Sequence, residues 1–422
     1  MDRIFVRFKS PEQKIDALSG GMLRAINTLS GKMLPASAPA NPDFSRTQPD
    51  VMHVPATDEM RRELEKSGAE IFEDVQFRVF PGNDIETFDS WSYQNDIGEF
   101  AENYTLHDVV EQVRAPEAWE RTQGEGATIV VVDTGIADTL QEFSPTRRVA
   151  LDFDSHYRGS HWVDTEGHGS MCAAVAAASK KDGGRYDGVA PAAKVVSARS
   201  TLKSTDLFDI FDELVQARRL GTISGPLIVS NSYGLYTCKA PNVMPQDHPY
   251  MSVILAAIQS GIFVCFAAGN NHLDVCGHDP RSGGPNTIWG PNSHDDVMSV
   301  GTVNRELTNC DPASPHVNSS RGPGEWAKLS PKPDCVAPTY GEVVWGTSLR
   351  RMGWWGTSGA CPQVAGLAAL ILSVFPTASP AVVAGIIRES CSTLPESTTC
   401  VGRGLIDCAE AVEAAAARSV TS

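Results

Sequence analysis

Thr128, Ile129, Val130, Val131 and Val132 form an uninterrupted β-branched run. That is the pattern of a strand buried on both faces, as strands of parallel sheets are. Similar runs recur at 194–197, 227–230, 262–267 and 297–303, and stretches of helical period lie at 171–179, 207–220, 250–259 and 363–374. Strands alternating with helices predict a mainly parallel sheet covered on both faces, an α/β domain.

The first 80 or so residues follow a different rhythm. Ile4, Val6 and Phe8 alternate with Phe5, Arg7 and Lys9, which predicts a strand. Ile15, Leu18, Met22, Leu23, Ile26 and Leu29 fall at helical spacing, interrupted by Gly20 and Gly21. A Pro/Ala/Ser/Asn stretch follows at 34–49, then a second strand at Val51–Pro55. Thr57 caps a helix with Asp58 and Glu59 in its first turn and Gly68 near its end. Ile71, Phe72, Val75, Phe77, Val79 and Phe80 supply one or two further strands, so this part reads as a small α+β unit. Residues 82–108 hold seven acids and no Lys or Arg, together with Phe88, Trp91, Tyr93, Phe100 and Tyr104. A disordered linker is poor in aromatics, so this stretch reads as an extended connector that packs on something. The division is 1–81, 82–106 and 107–422.

Composition narrows the function. The 422 residues are 41% hydrophobic and 20% charged, enough for a large core. The formal charge, 35 − 51 = −16, argues against nucleic acid and against anionic membranes as partners. No run of apolar residues reaches the roughly 18–20 of a spanning segment. The start, Met1 to Val6, lacks a secretory signal pattern. The expectation is a cytoplasmic protein if Met1 is the native start, and a secreted one if a leader has been removed. Ten cysteines, none in the first 171 residues, form no CxxC pair, which leaves zinc and redox motifs without support. Cys172, Cys265, Cys335 and Cys361 read as buried thiols. Cys391 and Cys400 flank a short polar loop and are the pair an oxidising compartment would close.

Three segments put a reactive side chain at the edge of an apolar element. Asp133 ends a buried strand before Thr134 and Gly135. His168 opens a helix between Gly167 and Gly169. Ser358 lies in Gly356-Thr357-Ser358-Gly359-Ala360-Cys361-Pro362, ahead of an apolar helix. Each is a weak signal alone, since turns, structural histidines and glycine-flanked serines are common. Together, on strand-end and helix-start positions, they supply an orienter, a base and a nucleophile.

In this order, Asp133-Thr134-Gly135, His168-Gly169-Ser170 and Gly356 to Pro362 resemble the three motifs of the subtilisin-like serine proteases. Gly188 to Pro191, Ser319 to Pro323, Lys332 to Pro338 and Gly402 to Ile406 resemble the family's flanking segments, so the likeness covers about 107–416. The resemblance implies a three-layer subtilisin-like fold and a serine endopeptidase: Ser358 attacks, His168 moves the proton and Asp133 orients the imidazole. It also implies that Asn270, after Ala267-Ala268-Gly269, donates to the oxyanion; the adjacent Asn271 is the alternative register. Ser232, Tyr233 and Gly234 resemble the edge that pairs with the substrate backbone, and with Ala267, Ala268 and Gly269 they imply a mainly apolar primary pocket whose floor falls in 272–291. Gly359 stands where the family usually has Met. Trp354 and Trp355 precede the motif as packing residues or as a wall on the leaving-group side. Cys172 sits one helical turn after His168, where some relatives have a free thiol.

By the same resemblance no cofactor serves the chemistry. Glu142 matches a carboxylate ligand of structural calcium, although Lys180, Lys181 and Arg185 in the matching loop are poor company for a hard cation. The first unit resembles the family's inhibitory prodomain, a ferredoxin-like βαββαβ unit that acts as intramolecular inhibitor, with self-cleavage between about Phe80 and Tyr104. Two other readings are weighed. A silent scaffold is disfavoured by the complete set of reactive residues, and an esterase by the missing GxSxG elbow. A regulated protease that processes one partner protein stands beside a broadly degradative one.

Overall fold

In the computed structural model, residues 2–19, 43–44, 47–79, 103–150, 161–235, 243–273 and 286–421 are described. The processing region and most of the expected connector, 80–102, lie outside them, as does most of the expected pocket floor.

The run that opened the sequence reading is strand β6 (Thr128–Asp133), buried at every position. It lies inside a six-stranded sheet with β7 (Lys194–Arg199), β8 (Leu227–Asn231), β10 (Phe263–Ala267), β11 (Met298–Val303) and β12 (Cys335–Pro338), in the order β12-β11-β10-β8-β6-β7. Every pairing in this sheet is parallel. The chain leaves β6 for one neighbour, β7, and returns to the other, β8, so the order reverses at β6. The crevice outside the carboxyl ends of the strands at such a reversal is where open α/β sheets bind ligands.

The first unit runs β1 (Arg3–Arg7), α1 (Pro11–Ser19), β2 (Asp43–Phe44), β3 (Val51–Pro55), α2 (Asp58–Ser67) and β4 (Glu70–Glu73). The strands form a separate antiparallel sheet in the order β2-β3-β1-β4. The Thr57 hydroxyl accepts from the Met60 N–H, and Gly68 ends α2 at φ 70°, as the sequence predicts. One face of this sheet buries Ile4, Val6, Met52 and Val54 against Met60 and Leu64. The other turns Phe5 and Val51 into the core of the larger domain, beside Phe208 and Phe211. That second apolar face explains why Phe5 breaks a simple inside–outside alternation.

Around the large sheet, α3 (Leu106–Gln112), α4 (His168–Ala177), α7 (Gly356–Val374), α8 (Pro380–Ser390) and α9 (Cys408–Thr421) share one core. On the opposite face, α5 (Ser204–Leu220) and α6 (Pro249–Gln259) share the other. The result is the expected three layers. Helix α7 starts seven residues before the predicted 363, so Ser358 is inside its first turn. Its 19 residues are apolar enough to cross a membrane, against the sequence expectation, but 89% of the apolar window is buried inside the protein, where it is the central helix. The described cysteines are free thiols. Cys391 and Cys400 do not face each other: Cys335 is the neighbour of Cys391 and Cys310 that of Cys400.

Candidate active site

Asp133 ends β6 at the reversal of strand order and is fully buried. Its Oδ1 accepts from the Thr134 N–H at 2.7 Å and faces His168 Nδ1 at 2.7 Å. An ionised carboxylate only accepts, so Nδ1 carries the proton and Nε2 is left as the basic nitrogen. Asp133 Oδ2 is buried and meets no donor among the described residues.

His168 opens α4, close against the end of β6. A Cβ on Gly169 would stand 2.1 Å from the Gly135 carbonyl and 3.1 Å from Asp133 Cβ, so only glycine lets helix and strand approach this far. Asp164, which the sequence reading missed, holds both. Its Oδ1 accepts from the Gly167 N–H (2.7 Å), the Glu166 N–H (3.0 Å) and the Thr134 hydroxyl (3.0 Å). Its Oδ2 accepts from the Ser170 N–H (2.9 Å) and hydroxyl (2.7 Å). It is a carboxylate at a helix N-terminus, four residues ahead of His168, and that acid-before-helix signal could have found it. The Trp345 ring stands edge-on to His168 at 6.0 Å, and its Nε1–H donates to the Glu166 carbonyl.

Ser358 is the third residue of α7. Pro362 has no N–H for the carbonyl four residues back, so the Ser358 carbonyl is released from the helix ladder. It accepts instead from the Ser232 hydroxyl at 3.0 Å and the Cys172 thiol at 3.5 Å. The Ser358 hydroxyl donates to the Ser232 carbonyl at 3.4 Å. Serine, the segment after β8 and the His168 helix are thereby tied together, and Cys172 Sγ lies 3.8 Å from His168 Nδ1.

Asn270 follows β10. Its Oδ1 accepts from both the N–H and the hydroxyl of Thr357 at 3.0 Å. This fixes the amide orientation and leaves Nδ2 buried, with no acceptor among the described residues. Asn271 turns away, donating to the Leu235 carbonyl, so of the two asparagines it is Asn270 that adjoins the Ser358 turn. Trp355 explains Gly359: a Cβ there would lie 2.7 Å from Trp355 Cβ. Trp355 is buried and donates to the Gly341 carbonyl, while the Trp354 ring leans on His316; both are packing residues.

Burial is the largest single influence on His168 and lowers its pKa, but the Asp133 charge and hydrogen bond, together with the contact to Cys172, outweigh it and hold the imidazole well above its ordinary value. Burial pushes the Cys172 thiol up to about 12, so it stays neutral beside the imidazole.

The edge segment is strand β9 (Tyr233–Gly234). Strand β5 (Arg78–Val79) pairs antiparallel with it, Arg78 opposite Gly234 and Val79 opposite Tyr233. The Phe77 N–H donates to the Leu202 carbonyl on the other side. The Tyr233 side chain does not line a pocket, a correction to the expectation. It is buried in the core, bonded to Asn231 Oδ1 and to the Tyr250 hydroxyl, because the residue's backbone, not its ring, faces the cleft. Ala267 and Ala268 are buried, and the Gly269 N–H donates to Thr357 Oγ1. Asn292, which carries no local signal along the chain, donates to the Tyr233 and Ala267 carbonyls and so spaces the two walls.

At the locus nominated for calcium, Glu142 Oε1 accepts from the Arg185 N–H. The Glu142 carbonyl and the Asp182 carboxylate are both bonded to Arg147, at 2.7 and 2.5 Å. Calcium needs six to eight free oxygens, and this donor set does not fit it.

A parallel α/β sheet whose carboxyl edge gathers a buried Asp–His pair and a helix-borne serine defines the class, a serine hydrolase. The subtilase family (peptidase S8) matches residues 124–404, and the chain belongs to it. Serine protease AprX of Bacillus subtilis is 30% identical over 63% of this chain, which spans only 61% of AprX. A calcium-dependent protease of a Nostoc species is 27% identical over 66% of this chain and 43% of its own length. The fold is shared with the crystal structure of MycP1 with the N-terminal propeptide removed: TM-score 0.54 at 22% identity, covering 72% of this chain and 97% of that one.

Proposed function

We propose that Ser358, His168 and Asp133 are nucleophile, general base and orienter of peptide hydrolysis, and that the first unit is an inhibitory prodomain. The single observation that carries the chemistry is the Asn270 amide. Thr357 pins its oxygen, so its N–H donors are aimed, buried and unspent beside the Ser358 turn. A preorganised donor of that kind stabilises charge that develops only in the transition state. As His168 Nε2 takes the Ser358 proton, the hydroxyl oxygen attacks the scissile carbonyl, and its oxyanion meets Asn270 Nδ2 beside the N-terminus of α7. The imidazolium then gives its proton to the leaving amine.

The inhibitory role is supported by β5. It adds to β9 as a substrate strand would and runs towards Ser232, whose carbonyl touches the Ser358 hydroxyl. Asp74, just after β4, accepts from the Thr205 N–H and from the Ser204 and Thr205 hydroxyls. The first unit thus caps a helix of the larger domain. Calcium is carried by the name of the Nostoc relative, and the Glu142 locus does not support extending it to this chain.

Intact-mass analysis of wild type beside Ser358→Ala tests the reading. The expected result is a fragment of about 80–100 residues from wild type only, whose end defines the processed bond, with fluorophosphonate labelling of wild type and not of the variant. A wild-type chain that neither splits nor takes the label, while folded, overturns it. A cleavage-site profile on a peptide library then separates a broad enzyme from one that processes a single partner.

A further inference from the structure

The loop that leaves Asp133 is stitched by two adjacent arginines. Arg148 donates to the carbonyls of Asp138 (2.6 Å), Leu140 (2.6 Å) and Phe143 (3.0 Å), and its guanidinium stacks on Trp162. Arg147, nearly buried, reaches inward. Its Nε–H donates to Asp182 Oδ2 at 2.5 Å, its Nη1 to the Ala177 and Ala193 carbonyls at 2.9 Å each, and its Nη2 to the Glu142 carbonyl at 2.7 Å. Four oxygens from four separate chain segments therefore converge on one guanidinium: the loop, the end of α4, the turn at Lys180–Asp182 and the start of β7.

We propose that Arg147 is a built-in cation that takes the place of calcium at this locus and ties the Asp133 loop to the end of the His168 helix. Carbonyl oxygens and a carboxylate gathered from distant segments are the donor set of a hard-cation cage. Here the positive charge is delivered by the chain. A guanidinium spreads its charge over five N–H groups in a plane and here meets four acceptors at 2.5–2.9 Å, which an ammonium with three donors cannot do. A calcium ion entering would have to evict Arg147 from all four oxygens and leave that charge buried beside it. The remaining side chains point the same way. Glu142 is turned to the Arg185 N–H, and the loop that carries Asp182 also carries Lys180, Lys181 and Arg185, which add positive charge. Ser144 adds an N–H bond to Asp182 Oδ2 at 3.0 Å. Together with Arg147 it outweighs burial and holds the Asp182 carboxyl below its ordinary pKa, so the pair stays ionised. A tethered cation is not diluted or chelated, so the geometry beside Asp133 and His168 holds at any free calcium concentration.

The test is thermal melting of the full chain carrying Ser358→Ala, which removes self-digestion, in EDTA and in about 10 mM calcium. Added Arg147→Ala is expected to melt about 10 °C lower in EDTA and to recover part of that loss in calcium, because the vacated oxygens become available to a metal. With Arg147 present, Asp182→Asn is expected to leave any response to calcium unchanged, because calcium bound elsewhere does not use this carboxylate. A calcium-induced rise in the Arg147-bearing chain that Asp182→Asn abolishes would overturn the proposal, as would an Arg147→Ala protein that melts with its parent. Should Arg147→Ala not fold, the Asp182→Asn comparison decides alone.

Discussion

In the proposed reaction a single atom, Nδ2, gives the Asn270 amide a catalytic role beside its structural one. Asn270→Ala removes Nδ2, and with it the contact to Thr357. A fall of about 10²–10³ in kcat is expected with KM nearly unchanged, since the donor serves charge formed after binding. Asn271→Ala is expected to cost less than tenfold. Equal losses at both would return the assignment to the alternative register. In the proposed mechanism His168 sets the pH dependence. It must be neutral to accept the serine proton, and Asp133 holds its pKa well above the ordinary imidazole value. Activity is therefore lost as pH falls through a midpoint above about 6.5. A kcat/KM profile with its acid limb below that value would contradict the Asp133 charge effect. Gly359 carries no thioether for peroxide to oxidise, so activity is expected to survive peroxide while Gly359→Met becomes sensitive. The larger side chain also strikes Trp355, so its melting temperature is expected to drop by several degrees.

Elements place these residues, and what was legible in the sequence depended on how local the cause was. Strand β6 and the α2 caps were readable because a β-branched run and a Thr-to-Gly frame act over a few residues. The start of α7 was not, because glycine and proline speak against a helix at 356–362. The structure resolves the conflict by handing the Ser358 carbonyl to Ser232 and Cys172. Asn292, Arg147 and the inward turn of Tyr233 were illegible for the complementary reason, since their partners are distant in the chain. Asp164 belongs between these cases, with a local helix-start signal and a long-range consequence. Asp164→Ala unpins Glu166, Gly167, Ser170 and Thr134 at once. Loss of a charged cap costs about 1–2 kcal/mol, so a modest fall in melting temperature is expected, with kcat reduced more than KM because the His168 ring loses its mount. If KM carried the whole effect, Asp164 would be shaping the cleft rather than the base.

At the scale of the molecule, the first unit and the larger domain share one hydrophobic core, since Phe5, Val51, Phe77 and Val79 pack with Phe208, Phe211 and Tyr250. Cutting the chain between them would remove no such contact, so the cleaved parts are expected to co-elute on size exclusion at neutral pH. Acid is expected to loosen that junction through His248. Its ring sits between Phe5 and Phe72, donates through Nε2 to the Glu73 carbonyl of the first unit and accepts through Nδ1 from the Tyr250 N–H. Burial, aided by nearby Arg7 and opposed by the Glu73 carbonyl and Asp247, lowers its pKa to about 4. A histidine depressed in the docked state contributes stability above its free pKa near 6.5, and that contribution is lost as pH falls from there towards 4. Each pH unit in that window costs at most about tenfold in affinity, the full effect requiring that undocking returns the ring to water. The dissociation constant of the two cleaved parts, measured at pH 7.5, 6 and 5, is expected to rise most between the last two. His248→Gln, which keeps a donor and cannot titrate, is expected to flatten that rise; an equally steep rise in the variant would assign the acid sensitivity to other groups.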